Sequence, residues 1–346
     1  MGRKHTGYSL RDCDWLPLEA LTDSTLLITG GTGLVGSQIL RELAAIQKDY
    51  HIRLLALVRN EDAAKKKFSA LGGQVEFLIG DIVEEISVDG PVDYILHGAS
   101  VTSSKAFVEN PVETIQTSVI GTMHMLNLAV RKRVRSMVYL SSMEVYGVSH
   151  RKTSLTESDL AYLNPLNLRS SYPESKRMCE NLCVAYAGEY GVDVKIARLA
   201  QTFGFGADRN DQRVMMQFLR SALKNEPIEI KTSGQSSRMY LHSFDAVTAL
   251  LSLLLKGEKG EAYNIADKSS YCSIRELASH VVKVTSSESE ILVNTGDPGE
   301  TRIYPPDSYL FLDVSKLEAL GWKPLISLKD GLFSLAQSMK DLDVDD

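Results

Sequence analysis

Cysteine is scarce in this chain. Its four thiols, Cys13, Cys179, Cys183 and Cys272, form no Cys-x-x-Cys pair and stand in no histidine cluster. That excludes the common zinc frameworks and a disulfide-stapled fold, and it points to a reducing cytoplasm. Cys179 and Cys183 are spaced to share a helix face, where they read as small buried hydrophobes. Long apolar runs are missing too, so no segment is expected to span a bilayer. The opening MGRKHTGYSLRDCDW carries charge where a signal peptide needs an apolar core. Basic residues are outnumbered by acidic ones, 38 to 44, for a net charge of −6. This argues against nucleic acid as a partner. There is no internal repeat and no low-complexity tract. The 346 residues suffice for one large domain or two coupled ones.

What is present is an alternation of apolar strands and longer helical segments. The first 23 residues precede it, with Trp15, Leu16, Leu18 and Leu21 suited to a short amphipathic turn docked on the body. From Ser24, strands are predicted at 24–29, 53–58, 75–80, 92–97, 136–141 and 192–200, with helices near 34–47, 111–131 and 170–190. Such alternation implies a parallel sheet with right-handed crossovers. Beyond it, short strands (227–230, 238–241) mix with helices near 211–224, 243–256 and 273–284. Residues 286–309 read as a long loop with one strand, and a helix-turn segment and last helix follow. The expected class is α/β: a Rossmann-type doubly wound parallel sheet over residues 24–200, and a smaller α/β C-terminal substrate domain over 201–346. Some chain is expected to cross between the two.

TGGTGLVG (29–36) follows a predicted strand and opens a predicted helix. That is the setting in which a glycine turn holds a dinucleotide pyrophosphate. Gly30 permits the tight turn, Gly33 lets backbone approach phosphate, and Gly36 lets helix and strand pack. Leu34 and Val35 open the helix within reach of the cofactor. The second strand ends in ALVRN (56–60), without the carboxylate that would bind the adenosine ribose in an NAD site. Arg59 there is suited to a 2′-phosphate, which favours NADP over NAD; stacking on adenine or facing solvent are its other readings. Asp81, after the third strand, suits an adenine amino group or a helix N-cap. Ile82 and Ala99 are further candidate cofactor contacts. Tyr172 and Lys176 stand four residues apart, one helical turn. A nearby ammonium favours the phenolate, so the tyrosine is expected to titrate below its ordinary value near 10 and act as a base.

Taken with its other motifs, the chain resembles an extended short-chain dehydrogenase/reductase of the nucleotide-sugar epimerase/dehydratase type. The resemblance runs from about residue 24 to 340. TGGTGLVG (29–36), GDI (80–82), HGAS (97–100), SSMEVYG (141–147), YPESK (172–176), RLAQTFG (198–204) and SSRMYLHSFDAV (236–247) carry it, in order. It implies a nucleotide-sugar substrate, UDP foremost, and NAD or NADP that stays bound and is recycled. It implies Ser142 as the hydroxyl that meets the sugar 4-hydroxyl, Tyr172 as the base, and Lys176 as the grip on the nicotinamide ribose. Arg238 matches an arginine for the substrate diphosphate. The shared opening step oxidises the sugar at position 4. The ketone acidifies the 5-proton, and a C5 carboxylate then becomes that of a β-keto acid. A homodimer through helices near 111–131 and 170–190 is also implied; MHMLNLAV (123–130) reads equally as an apolar face for it or as core packing.

Glu144 discriminates among reactions. The resemblance gives 4,6-dehydratases and UDP-glucuronate decarboxylases a glutamate here, where simple 4-epimerases need none. In a dehydratase it takes the 5-proton. RSSYPESKR (169–177) and NDQRV (210–214), with Arg213 available for the diphosphate, look more like the decarboxylases, though NDQRV also reads as a plain helix start, with Gln212 in place of a glycine. Met143 stands where dehydratases place an acidic proton donor, and a thioether cannot protonate a leaving hydroxyl. YLFLD (309–313) lacks an arginine that decarboxylases carry, and Arg302 lies upstream as a substitute. Gln201, Phe205 and Ser118 replace a usual asparagine, proline and asparagine. Thr102 and Gln201 join Arg213, Arg238 and Arg302 as candidate substrate contacts. No metal site is expected. The expectation is a lyase, decarboxylation before dehydration, with 4-epimerisation and a non-catalytic NAD(P)-binding regulator as alternatives.

Overall fold

The computed structural model describes residues 7–151, 153–206, 211–294 and 307–344. Seven parallel strands form the main sheet: β1 (Thr25–Thr29), β2 (Arg53–Val58), β3 (Val75–Ile79), β4 (Tyr94–His97), β5 (Ser136–Ser142), β6 (Val194–Leu199) and β11 (Ala262–Ile265). Their spatial order is β11-β6-β5-β4-β1-β2-β3. TLLIT of β1 is buried throughout, as expected of a strand covered on both faces. Helices α1 (Leu34–Tyr50), α4 (Pro111–Lys132), α5 (Ser171–Glu189) and α7 (Ser243–Lys256) supply the cover. The charged segment after β2 forms α2 (Glu61–Lys67), and α3 (Ser104–Glu109) precedes α4.

Strand order reverses between β1 and β4, and in open parallel sheets a ligand crevice lies at such a point. The crevice is built closely. Thr29 and His97 meet across the two strands, with 2.7 Å between Oγ1 and Nδ1. The Ala99 N–H donates to the same threonine oxygen at 3.1 Å. Burial pushes His97 down to about 3, so the ring is neutral and links Thr29 to Thr122.

The rest of the chain makes small sheets. β7 (Gln201–Phe203) pairs with β10 (Tyr240–His242), and β8 (Ile228–Ile230) with β13 (Ile291–Val293). β9 (Ser237–Arg238) lies between β12 (Cys272–Ser273) and β14 (Tyr309–Leu310). The single strand expected at 238–241 is therefore two. Met239 breaks it: the side chain is buried and its sulfur accepts the Leu312 N–H at 3.0 Å. Helices α6 (Val214–Leu223), α8 (Ile274–Thr285) and α10 (Leu328–Val344) pack on these sheets, and α9 (Ser315–Glu318) is one turn. The expected N-terminal docking is observed. Leu10, Cys13, Leu16, Leu18 and Leu21 are buried in one cluster with Leu43 of α1 and Leu250 of α7.

Candidate functional site

The glycine turn fits a dinucleotide. Gly30 has φ +70, and a Cβ there would meet the Gly98 carbonyl oxygen at 2.6 Å. A Cβ on Gly36 would sit 2.3 Å from the Gly30 oxygen. Gly33 is the N-cap of α1 and brings no side-chain cap. The first N–H groups of a 17-residue helix are thus left for an anion. Leu34 and Val35 begin that helix, half-buried. Arg59 is exposed just past β2, beside Asn60, whose side chain caps α2. Asp81 does not cap a helix, because only turns and coil follow it; its side chain accepts the Val83 N–H at 3.1 Å. Ile82 packs its side chain into the cluster under α4, and its carbonyl pairs with His124 at 3.1 Å.

The second group of candidates gathers where β5 ends. Ser142 closes the strand and accepts the Glu144 N–H at 3.2 Å, capping the 3-10 turn Met143–Tyr146. Helix α5 brings Tyr172 and Lys176 alongside, both buried. The expected lowering of Tyr172 is not found. Burial pushes its phenol above the ordinary value, and the Glu144 charge works in the same direction. A hydrogen bond with Ser142 and the Arg169 charge oppose them. The Lys176 ammonium is engaged elsewhere: it donates to the Leu140 carbonyl at 2.8 Å and lies 5.7 Å from the Tyr172 ring centre. Burial brings Lys176 down to about 8.

Glu144 is neither free nor facing open solvent. Arg169 donates to both its oxygens, at 2.8 and 3.1 Å. The side chains are only 11% and 19% exposed, arginine first. Phe107, on α3, stacks on the Tyr172 ring with centres 4.3 Å apart and planes 6° apart. The Arg169 guanidinium lies 5.6 Å from the centre of the same phenyl ring. In the sequence Arg169 is visible only as a flank of the Tyr172 motif, and nothing there marks Phe107 as its neighbour.

Met143 is 2% exposed and belongs to a buried apolar cluster with Met239, Leu310 and Leu312. The methionine and the arginine-free YLFLD segment are therefore one packing feature. Arg213 is the N-cap of α6, tied to Asp211 at 2.8 Å and to the Thr202 carbonyl at 2.6 Å. Gln201 opens β7 and Arg238 closes β9 with its Nε buried and without a protein partner. Thr102 is exposed on the loop after β4. Arg302 lies outside the described residues. Among the described residues, no group of three His, Cys, Asp or Glu side chains is placed to hold a metal ion. No described helix is long and apolar enough to cross a membrane.

A glycine cradle at the switch point, with serine, tyrosine and lysine at the next strand end, is the layout of a known enzyme family. Residues 26–266 match the model of the NAD dependent epimerase/dehydratase family. The chain belongs to that family. Within it, the chain is 33% identical over 311 residues to UDP-glucuronic acid decarboxylase 6 of Arabidopsis thaliana, covering 89% of this chain and 86% of that one. UDP-glucuronic acid decarboxylase 1 of Danio rerio is 32% identical over 316 residues, covering 89% and 70%. A dTDP-glucose 4,6-dehydratase from Streptomyces venezuelae, solved with NAD bound, superposes with a TM-score of 0.78 at 25% identity, covering 92% and 97%. A UDP-glucose 4-epimerase from Thermotoga maritima shares the fold, with a TM-score of 0.78 at 22% identity, covering 92% and 99%.

Proposed function

We propose that this family member is a redox-neutral nucleotide-sugar lyase that decarboxylates a UDP-uronate through a 4-keto intermediate. The observation that carries the reading is the Arg169–Glu144 pair. A 4,6-dehydratase needs a free carboxylate to take the 5-proton and an acid to protonate the leaving hydroxyl. Here the carboxylate is clamped and the neighbouring residue is Met143, a buried thioether. Loss of carbon dioxide from a β-keto acid needs neither group. Relatives that are UDP-glucuronic acid decarboxylases support the same reading.

Tyr172 takes the proton of the sugar 4-hydroxyl, and Ser142 holds that oxygen. A bound nicotinamide dinucleotide supplies hydride acceptance at C4 and hydride return. The C5–carboxylate bond then breaks, carbon dioxide leaves and the electron pair moves onto the C4 oxygen as an enolate that Tyr172 and Ser142 stabilise. A solvent proton taken up at C5 restores the C4 ketone for hydride return. Thr102, Gln201, Arg213 and Arg238 are the proposed substrate contacts, the arginines for the diphosphate. Exposed Arg59 supports a 2′-phosphate contact, and so NADP. Val112, Ile115 and Met123 on α4, and Met178 and Val184 on α5, are exposed apolar residues that support a homodimer through these helices. Four unpaired thiols support a cytoplasmic location.

The clamp is also compatible with 4-epimerisation, which takes no 5-proton. Proton NMR in deuterated buffer separates the readings, with UDP-glucuronate, UDP-glucose and dTDP-glucose in separate tubes. A UDP-pentose from UDP-glucuronate is expected. A 4-keto-6-deoxy product, or a 4-epimer without deuterium at carbon 5, would replace this reading with dehydration or epimerisation.

A further inference from the structure

Arg169 and Glu144 are held together by more than their charges. The fork matches both carboxylate oxygens, a geometry that fixes orientation as well as charge. The arginine is fixed in turn. Asn167 accepts its backbone N–H at 3.0 Å, and Phe107 lies against its guanidinium. Phe107 is itself locked between α3 and α5: its ring stacks on Tyr172, and its carbonyl accepts the Ser171 hydroxyl at 2.9 Å. One aromatic ring thus registers the clamp against the tyrosine.

We propose that Arg169 sets the type of reaction, by keeping Glu144 from acting as a base on carbon 5 of the 4-keto sugar. This rests on the decarboxylase reading of the site. A 4-keto uronate has two outlets. Carbon dioxide can leave, or the C5–H bond can break. In the second, the proton passes to a Glu144 oxygen and the electron pair shifts onto the C4 oxygen as an enolate. Return of a proton to either face then gives exchange or the 5-epimer. The guanidinium takes one lone pair on each oxygen and fixes the plane of the carboxylate, so Glu144 is not free to turn towards a C–H bond, and partial burial strengthens the hold. Releasing Glu144 opens the second outlet.

The test is carried out on the whole enzyme in deuterated buffer with UDP-glucuronate, stopped at half conversion. The readout is deuterium at carbon 5 of the recovered substrate. Wild type is expected to show none. Arg169→Gln is expected to show exchange at least tenfold above background, Arg169→Lys an intermediate amount, and adding Glu144→Gln should remove it. Arg169 also draws the Tyr172 phenol downwards, so the rising limb of the pH profile should move to higher pH in Arg169→Gln, which mere loosening would not do. Should Arg169→Gln fail to fold, Arg169→Lys carries the test alone. Three results overturn the proposal: wild type exchanging as fast as the variants, variants that make pentose without exchange, or exchange that survives Glu144→Gln. UDP-glucose has no carboxylate to lose and separates the two claims. No pentose from wild-type enzyme sinks the decarboxylase reading, while the exchange contrast on UDP-glucose still decides the role of Arg169.

Discussion

Two arginines hold two glutamates around the end of β5, and they do so differently. Arg198 on β6 uses every nitrogen: Nε and Nη2 donate to Glu180 at 3.0 and 2.7 Å. Its Nη1 donates to the Tyr146 hydroxyl at 3.1 Å and the Glu157 carbonyl at 2.7 Å. Glu180 also accepts the Ser141 hydroxyl at 2.6 Å, and the Tyr146 hydroxyl donates to the Asn264 side-chain oxygen at 2.6 Å. Ser141, Glu180 and Asn264 lie on β5, α5 and β11, and Tyr146 and Glu157 on the segment between β5 and α5, so the network ties the sheet to the helix that carries Tyr172. Arg169 instead gives two nitrogens to Glu144 and leaves Nε buried without a protein partner. A fully satisfied buried pair fixes a scaffold. A pair with a spare donor at the crevice is suited to controlling chemistry.

The largest effect expected from this contrast comes from Glu180→Ala. It leaves the Arg198 guanidinium buried and uncompensated, at a cost of about 3–5 kcal/mol, read as the shift in a urea unfolding curve. Loss below about 1 kcal/mol would mean that the first pair is no more structural than the second. Tyr172→Phe is the opposite case. The ring and its stack on Phe107 remain, so stability should change little. Turnover should fall about 10²–10⁴-fold with the loss of the proton-transferring hydroxyl, while the dinucleotide stays bound. Parallel loss of stability and turnover would show that Tyr172 belongs to the scaffold instead.

A third carboxylate sharpens the comparison because no arginine among the described residues pairs with it. Glu42, on α1, is buried and accepts a hydrogen bond from the Gln38 side-chain amide at 2.6 Å. Burial pushes it from 4.5 up to about 7, and the Gln38 hydrogen bond opposes this. The folded protein therefore binds more protons than the unfolded chain between these values, so stability falls as pH rises from about 4.5 to 7. Glu42→Gln keeps an acceptor for Gln38 and abolishes the titration. It should raise stability by about 2–3 kcal/mol at pH 8 and change it little at pH 4. Equal effects at both pH values would show that burial does not govern Glu42.

The sequence made some of this legible and hid the rest, for physical reasons. The glycine turn, the Tyr172–Lys176 spacing and the strand–helix alternation follow from local backbone geometry, which a short stretch specifies by itself. The Arg169–Glu144 pair joins residues 25 apart, across a turn whose path no local rule gives. The direction of the Tyr172 shift depended on competition. The lysine was visible in the sequence, but its ammonium is turned to the Leu140 carbonyl; the burial that raises the phenol, and the Ser142 and Arg169 influences that oppose it, were not visible. Met143 read as a lost proton donor because only its neighbours in the chain were in view. In the fold it joins Met239, Leu310 and Leu312. Asp81 read equally as an adenine contact or a helix cap, and the cap reading falls because only turns and coil follow it.

Arg59 completes the series as an arginine with neither burial nor a carboxylate clamp, and the smallest effect is expected there. It stands exposed where β2 gives way to the Asn60 cap of α2. If it meets a 2′-phosphate, Arg59→Ala should weaken NADP about tenfold, on the order of 1.4 kcal/mol, and leave NAD nearly unchanged. Titration calorimetry with each dinucleotide reads the ratio. Added salt should shrink the wild-type preference, since an exposed ion pair is screened within about 10 Å at 0.1 M, while a clamp buried like that of Arg169 should hold. Equal loss for both dinucleotides would make Arg59 a stacking residue on adenine, and no loss for either would leave it a solvated side chain and return the cofactor preference to NAD.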